Sequence, residues 1–356
     1  MSEKILMKGA EVLGEAAIKA ACRLFFGYPI TPQNEAPAYM AKRLPEVGGT
    51  FLQAESEVAA INMLYGAAGA GHRVMTTSSS PGISLMMEGI SYIAGAELPV
   101  VLANVMRGGP GLGGIGPAQA DYFQSTKGGG HGDYRIITLA PSDLQEQVDL
   151  MYDAFDLADE YRNPVMILTD GLLGQIMEAV EFKRVKDPAT LKAKPWAATG
   201  RKGRTKNLIT SFDLDLDGLE RHNQKIQAKY ALAKQKEVRF QDFHAEDAEI
   251  IVVAYGTMAR ICKTAISHMR SEGASVGLFR PISLWPFPEN QILQLAQKPS
   301  TKAILVFELS AGQMVEDVKM YTHDIKPIHF HGRTGGNVPS PQEVIEKIKA
   351  VQKEVR

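Results

Sequence analysis

The first 180 residues of this chain alternate between two hydrophobic periodicities, and that alternation leaves few folds open. Short, nearly continuous apolar runs such as "RLFFG", "RVMTT", "LPVVLANVM", "RIITLA" and "NPVMILTD" are separated by segments with helical spacing. Those segments include "GAEVLGEAAIKAA", "SEVAAINMLYGAAGAG", "GISLMMEGISYIAGAE" and "LQEQVDLMYDAFDLADEY". A strand that is apolar throughout needs cover on both faces, and intervening helices supply it when the strands run parallel. The pattern predicts α/β architecture with doubly wound parallel sheets.

Between residues 181 and 246 the alternation stops. "FKRVKDPATLKAKPWAATGRKGRTKN" is basic, holds prolines and has few apolar anchors, while "DLDGLERHNQKIQAKYALAKQKEVRF" reads as one amphipathic helix. The alternation resumes with "AEIIVVAYGTMARICKTAISHMR", "ASVGLFRPISLWPF", "KAILVFELSAGQM" and "KPIHFHG", and closes on the helix "PQEVIEKIKAVQKEV". The expected organisation is a first α/β domain over 1–180, a surface connector with a helix over 181–246, and a smaller parallel α/β domain over 247–356. The basic run lacks aromatic interleaving and lies beside acidic patches, so a solvated linker or subunit contact is expected in preference to a nucleic-acid surface.

Charge and cysteine usage exclude several classes. With 39 Lys and Arg against 40 Asp and Glu there is no global basic field. Cys22 and Cys262 stand alone, which excludes a disulfide framework, a CxxC zinc site and any iron–sulfur cluster held by this chain by itself. No signal-like segment opens the sequence, and no apolar run reaches the ~20 residues that span a bilayer. A cytoplasmic protein without nucleic-acid or membrane partners is expected.

In open parallel sheets, ligands bind beyond the carboxyl ends of the strands. Three loops there carry chemistry. In "GYPITP", Pro29 and Pro32 stiffen the chain around Thr31, whose hydroxyl both donates and accepts. In "QAESEVAA", Glu55 and Glu57 stand at a strand-to-helix junction with Ser56 placed as an N-cap. Glu57 reads either as a first-turn acid favoured by the helix dipole or as a buried carboxyl with a raised pKa facing a cofactor nitrogen. The third loop, residues 105 to 135, begins with Arg107 at a strand end. Its guanidinium suits a substrate carboxylate or phosphate, or else pairs with a neighbouring Asp or Glu. His131 in "GGGHGDY" reads as an exposed loop residue in preference to an acid or base. The glycines form no G-x-G-x-x-G fingerprint, and no P-loop, G-x-S-x-G or HExxH occurs.

Taken jointly, "GYPITP", "ESEVAAINMLYGAAGAG", "TTSSSPGISLMMEGISYIAGAELPVV" and "MRGGPG" resemble the alpha subunit of 2-oxoacid:ferredoxin oxidoreductases in order and spacing. "AYGTMAR", "FRPISLWPFP", "ELSAGQM" and "GRTGG" extend the resemblance through the second domain. The long Gly-rich loop looks most like the branch using branched-chain 2-oxoacids such as 2-oxoisovalerate, with the 2-oxoglutarate branch as the nearest competitor. The resemblance implies a pyrimidine-type thiamine diphosphate domain followed by a transketolase C-terminal-like domain. It places the cofactor-activating glutamate at Glu57, the substrate-side threonine at Thr31 beside Pro29, and the carboxylate-facing arginine at Arg107. Glu57 would then need a pKa raised by desolvation to favour the cofactor's imino tautomer, while Arg107 and Thr31 orient the oxoacid. Carbon dioxide leaves, electrons depart singly to ferredoxin, and coenzyme A takes the acyl group.

No "GDG…N" motif for Mg²⁺ and diphosphate occurs; "TDGLLG" at 169 to 174 lacks the leading glycine and a placed Asn. The resemblance therefore implies half an active site in this chain, with metal on none of its own residues. The pyrophosphate-binding beta subunit, a gamma subunit and a ferredoxin-like subunit would bring the diphosphate site, Mg²⁺ and [4Fe–4S] clusters, and the Gly-rich loop would order against a partner. Two alternatives carry different expectations. A stand-alone nucleotide-binding regulatory module would bind NAD or ATP by itself, and a pyruvate-dehydrogenase-type component would pass acyl groups to lipoamide.

Overall fold

The expected alternation is realised in a computed structural model that describes residues 4–355. The first part runs β1 (Ile5–Lys8), α1 (Gly9–Lys19), β2 (Leu24–Gly27), α2 (Glu35–Glu46), β3 (Thr50–Gln53), α3 (Glu57–Gly69), β4 (Val74–Ser78) and α4 (Ser80–Gly95). It continues with β5 (Val100–Met106), α5 (Tyr122–Thr126), β6 (Ile137–Leu139), α6 (Leu144–Tyr161), β7 (Pro164–Asp170), α7 (Gly171–Gln175) and β8 (Met177–Val180). The connector carries α8 (Leu216–Lys236). Then follow β9 (Phe240–Phe243), β10 (Ile250–Val253), α9 (Gly256–Ser271), β11 (Val276–Pro281), β12 (Ser283–Trp285), α10 (Glu289–Gln297), β13 (Ala303–Glu308), α11 (Met314–Thr322), β14 (Ile328–Gly332) and α12 (Pro341–Glu354).

A seven-stranded sheet has the order β12-β6-β7-β5-β4-β2-β3, and a five-stranded sheet the order β14-β13-β10-β11-β9. β5 and β7 are buried at every position because helices cover both faces, which explains their continuous apolar sequence. Two edges depart from the all-parallel expectation: β9 lies antiparallel on β11, and β12 lies antiparallel on β6. β12 belongs in sequence to "ASVGLFRPISLWPF", yet it closes the first domain's sheet. There it covers an edge that would otherwise present unpaired backbone groups. A ribbon of β1 paired antiparallel with β8 went unread in the sequence.

The two domains share one apolar cluster, in which Leu102, Met106 and Tyr122 pack with Ile251, Val253 and Phe279. Polar contacts reinforce the joint. Arg280 reaches both oxygens of Glu146 at 2.7 Å, and the Tyr122 hydroxyl donates to Asp317 at 2.6 Å. No helix among the described residues is long and apolar enough to cross a membrane.

The basic connector is held by charge rather than free in solvent. α6 presents Asp153, Asp156 and Asp159 at helical spacing, and Arg184, Lys186 and Lys194 pair with them in turn. Arg73, nearly buried, donates to Asp156 at 2.7 Å and Asp159 at 2.8 Å from the opposite side. Arg73→Ala should destabilise the chain by about 1.5–3 kcal/mol, since it removes the buried guanidinium's charge-assisted bonds while Asp156 and Asp159 keep Lys186 and Lys194. A denaturant midpoint unchanged from wild type would contradict that.

Candidate functional site

Strands β2, β3, β4 and β5 are mutually parallel, so the segments leaving their carboxyl ends open on one edge of the sheet. Thr31 follows β2, Glu57 opens α3 after β3, Ser78 to Ser80 join β4 to α4, and Arg107 follows β5. The structure brings Thr31, Glu57 and Arg107 to one edge.

Ser56 caps α3, accepting from the Ala59 amide at 3.1 Å, and this sets Glu57 in the first turn. Glu55 is exposed, whereas Glu57 is only 5% exposed. The Glu57 carboxylate has no hydrogen-bond or ion-pair partner among the described residues. It leans on the start of α4, where a methyl group at Gly82 would come within 2.6 Å of Glu57 Oε1 and 2.2 Å of Ser78 Oγ. Glycine at 82 is what admits the carboxylate.

Arg107 is 8% exposed and forms no ion pair among the described residues, so it is not the acid-paired strand-end arginine. Nη1 donates to Thr31 O at 2.9 Å and Nη2 to Leu112 O at 3.0 Å, while Nε is buried without a partner. Two of five donors are thus used, on neutral carbonyls. A buried cation without a counter-ion, with a free Nε–H beside free Nη–H groups, presents the fork that a carboxylate accepts. Thr31 meets Arg107 through its carbonyl, not its hydroxyl, and its exposed side chain accepts weakly from Asn34 at 3.4 Å.

The Gly-rich loop is ordered by its own chain. Gly108 N donates to Gly116 O at 3.0 Å and Gly114 N to Gly108 O at 2.8 Å, and Arg107 bridges to Pro117. Arg107 ties the loop to the Thr31 turn. Leu112 and Ile115, 84% and 64% exposed, are presented beside it.

Sequence reasoning passed over several residues that complete this edge. The hydroxyls of Ser78 and Ser79 and Oδ1 of Asn104 are buried without partners. Asp121 accepts from Ser80 Oγ and Asn104 Nδ2. Their signal was a run of small polar residues, "TTSSS", at the end of an apolar strand. His131 stands apart, exposed, with Nδ1 3.3 Å from Ser91 Oγ, about three turns along α4 from Ser80. Pro29 is exposed and lines a cleft of about 180 Å³ with Gly27, Asn34, Pro37, Phe51 and Gln53. That is well below the several hundred Å³ that a cofactor-sized ligand fills. Asp170 of "TDGLLG" is spent as a buried N-cap, accepting from Leu172 N at 2.9 Å. Among the described residues no group of three or more His, Cys, Asp or Glu side chains is placed to hold a metal ion.

The residues fit the pyrimidine half of a thiamine site: an orphaned buried carboxylate, a glycine that admits it, and unsatisfied hydroxyls alongside. Comparison with known proteins agrees. Residues 15–245 match the family model for the thiamine-diphosphate-binding part of pyruvate flavodoxin/ferredoxin oxidoreductases, and residues 248–344 match that for pyruvate:ferredoxin oxidoreductase core domain II. The ketoisovalerate oxidoreductase subunit VorB of Methanothermobacter marburgensis is 49% identical over 349 residues, covering 97% of each chain. The 2-oxoglutarate synthase subunit KorA of Archaeoglobus fulgidus is 36% identical, covering 98% of this chain and 99% of that one. A solved 2-oxoglutarate:ferredoxin oxidoreductase from Magnetococcus marinus, with 2-oxoglutarate, coenzyme A and succinyl-CoA bound, superposes with a TM-score of 0.87. It is 25% identical, and the match covers 100% of this chain and 66% of that chain. A split-gene transketolase shares the fold at 13% identity and a TM-score of 0.60.

Proposed function

This chain belongs to the pyruvate flavodoxin/ferredoxin oxidoreductase family, and on that premise we propose that it is the alpha subunit of a thiamine-dependent ketoisovalerate:ferredoxin oxidoreductase. The reaction is oxidative decarboxylation of a branched-chain 2-oxoacid with coenzyme A, giving acyl-CoA, carbon dioxide and reduced ferredoxin. The observation that carries the reading is the placement, on one sheet edge, of a buried carboxylate without a partner and a buried guanidinium without a counter-ion among the described residues. Identity of 49% to a ketoisovalerate enzyme subunit, against 36% to a 2-oxoglutarate synthase subunit, favours the branched-chain substrate. The apolar Leu112 and Ile115 beside Arg107 support it too, since a dicarboxylate would want a second cation there.

Thiamine diphosphate supplies, when bound, a nucleophilic carbon that adds to the oxoacid carbonyl and accepts the electron pair released with carbon dioxide. Glu57 would meet the pyrimidine ring through its carboxyl group and exchange a proton with it there, and Gly82 leaves the room in which that carboxyl sits. Arg107 takes the substrate carboxylate through Nε and a free Nη–H, and Thr31 offers its hydroxyl on the open side. Pro29 and Thr31, both exposed on the turn after β2, would border the cofactor's pyrimidine end from outside the small cleft that Pro29 lines. Mg²⁺, the diphosphate pocket and the iron–sulfur clusters come from the beta, gamma and ferredoxin-like partner subunits. The exposed apolar residues Val58, Leu85, Leu112 and Ile115 around the edge support cover by such a partner.

Two expected results test this. The isolated chain should neither turn over nor retain thiamine diphosphate, and co-assembly with the partner subunits should restore both. An isolated chain that binds NAD or ATP tightly would favour the regulatory-module reading. Gly82→Ala should fold and assemble but lose about tenfold or more in turnover, because the added methyl displaces the Glu57 carboxylate or Ser78. Wild-type rates in that variant would show that the carboxylate's seat is not needed.

A further inference from the structure

Asp121 starts α5, yet its carboxylate makes no capping bond to that helix. It turns instead to the site edge, where Oδ2 accepts from Ser80 Oγ at 2.6 Å and from Asn104 Nδ2 at 2.8 Å. Ser80 Oγ in turn accepts from the Arg107 backbone N–H at 3.0 Å. A hydroxyl carries one proton, so accepting from Arg107 leaves that proton directed at Asp121. Burial raises the Asp121 carboxyl above the usual aspartate range, with the Ser80 and Asn104 donors pulling the other way.

The segment holding Asp121 is fastened to the other domain. Gln119 N donates to Leu309 O at 2.8 Å, Leu309 N returns a bond to Gln119 Oε1 at 3.0 Å, and Gln119 Nε2 donates to Tyr255 O at 2.9 Å. Phe123 N donates to Gln313 Oε1 at 2.8 Å, while Gln313 Nε2 donates to Ala120 O at 2.7 Å. Residues on either side of Asp121 are therefore set by the segments that follow β10 and β13 and by the loop into α11, and among the described residues only Asp121 reaches from that anchored segment to Ser80.

We propose that Asp121 is a positioning residue through which the second domain fixes Arg107 in the oxoacid site, acting by way of Ser80. The inference rests on the reading of Arg107 as the substrate-carboxylate arginine. Two-point recognition of a carboxylate tolerates displacements of only about 0.5 Å. Without Asp121 the Ser80 hydroxyl turns to its other acceptor, Arg107 O at 3.3 Å. It then no longer ties the end of β5 to the anchored segment.

The test uses the co-assembled complex. Asp121→Ala should raise the KM for 2-oxoisovalerate about tenfold with kcat within about threefold, and Asp121→Asn, which keeps an acceptor oxygen, should restore most of it. Gln313→Ala, in the second domain and outside the site, should move KM in the same direction. Arg107→Ala combined with Asp121→Ala should show no higher KM than Arg107→Ala alone. Amide hydrogen exchange at residues 105–109 of the full chain should accelerate in Asp121→Ala and not in Asp121→Asn. An unchanged KM in Asp121→Ala, where Arg107→Ala raises it, overturns the proposal. Should Asp121→Ala fail to assemble, Ser80→Ala removes the same link, and an unchanged KM there overturns it equally. An Arg107→Ala complex with normal KM sinks the arginine reading itself. In that case exchange at 105–109 decides alone whether Asp121 holds Arg107, and unchanged exchange overturns the proposal.

Discussion

Glu57→Gln in the assembled complex is expected to fold, assemble and bind cofactor, and to lose ~10²-fold or more in turnover of 2-oxoisovalerate. Glutamine has nearly the same shape and can sit against Gly82 and Ser78, where Glu57 Oε1 would lie 2.6 Å from a methyl on residue 82. What it lacks is an ionisable proton. If Glu57 served only as a first-turn acid for α3, the substitution would cost a few tenths of a kcal/mol to about 1 kcal/mol of stability and leave the rate alone. The two readings therefore separate on kcat, not on the melting curve. Decarboxylation and carbon dioxide release measured with each oxoacid give the answer, with circular dichroism and gel filtration as controls for fold and assembly. A variant with near-normal kcat would return Glu57 to a structural role.

Arg107→Ala comes second in size, with an expected rise of roughly 10- to 100-fold in the KM for the oxoacid and no change in the KM for coenzyme A. The scale follows from losing a charge-assisted pair worth about 1.5–3 kcal/mol. Arg107 also ties Thr31 O to Leu112 O, so alanine loosens the loop as well as removing the cation. Arg107→Lys separates these contributions. It keeps a charge but not the two-pronged fork, so its KM should fall between those of wild type and alanine. Equal KM values for all three proteins would assign Arg107 to holding the loop alone.

The fold was legible because burial on both faces writes itself as unbroken apolar runs, as in "PVVLANVM" for β5 and "PVMILTD" for β7. β12 was not, since "SLW" is three residues long and its partner β6 lies about 145 positions earlier in the chain. The connector's path over the surface was legible, but the pairing of Arg184, Lys186 and Lys194 with Asp153, Asp156 and Asp159 of α6 was not, because those partners lie far away in the sequence. Within the site, Thr31, Glu57 and Arg107 were picked out because each follows a strand end. Asp121, Ser80 and Gly82 escaped because their roles arise from tertiary neighbours. Nothing local tells that the carboxylate of Asp121 would forgo its own helix, or that residue 82 would face Glu57. The direction of the Thr31 contact was also hidden: proline stiffening pointed to the hydroxyl, while the bond to Arg107 is made by the carbonyl.

The central claim concerns one carboxyl group, and the structure of the co-assembled complex with thiamine diphosphate measures it directly. The account predicts a Glu57 carboxyl oxygen at about 2.6–3.2 Å from a ring nitrogen of the aminopyrimidine, with Gly82 and Ser78 at its back. A holo-complex in which Glu57 turns to solvent, or in which another side chain meets that nitrogen, would contradict it.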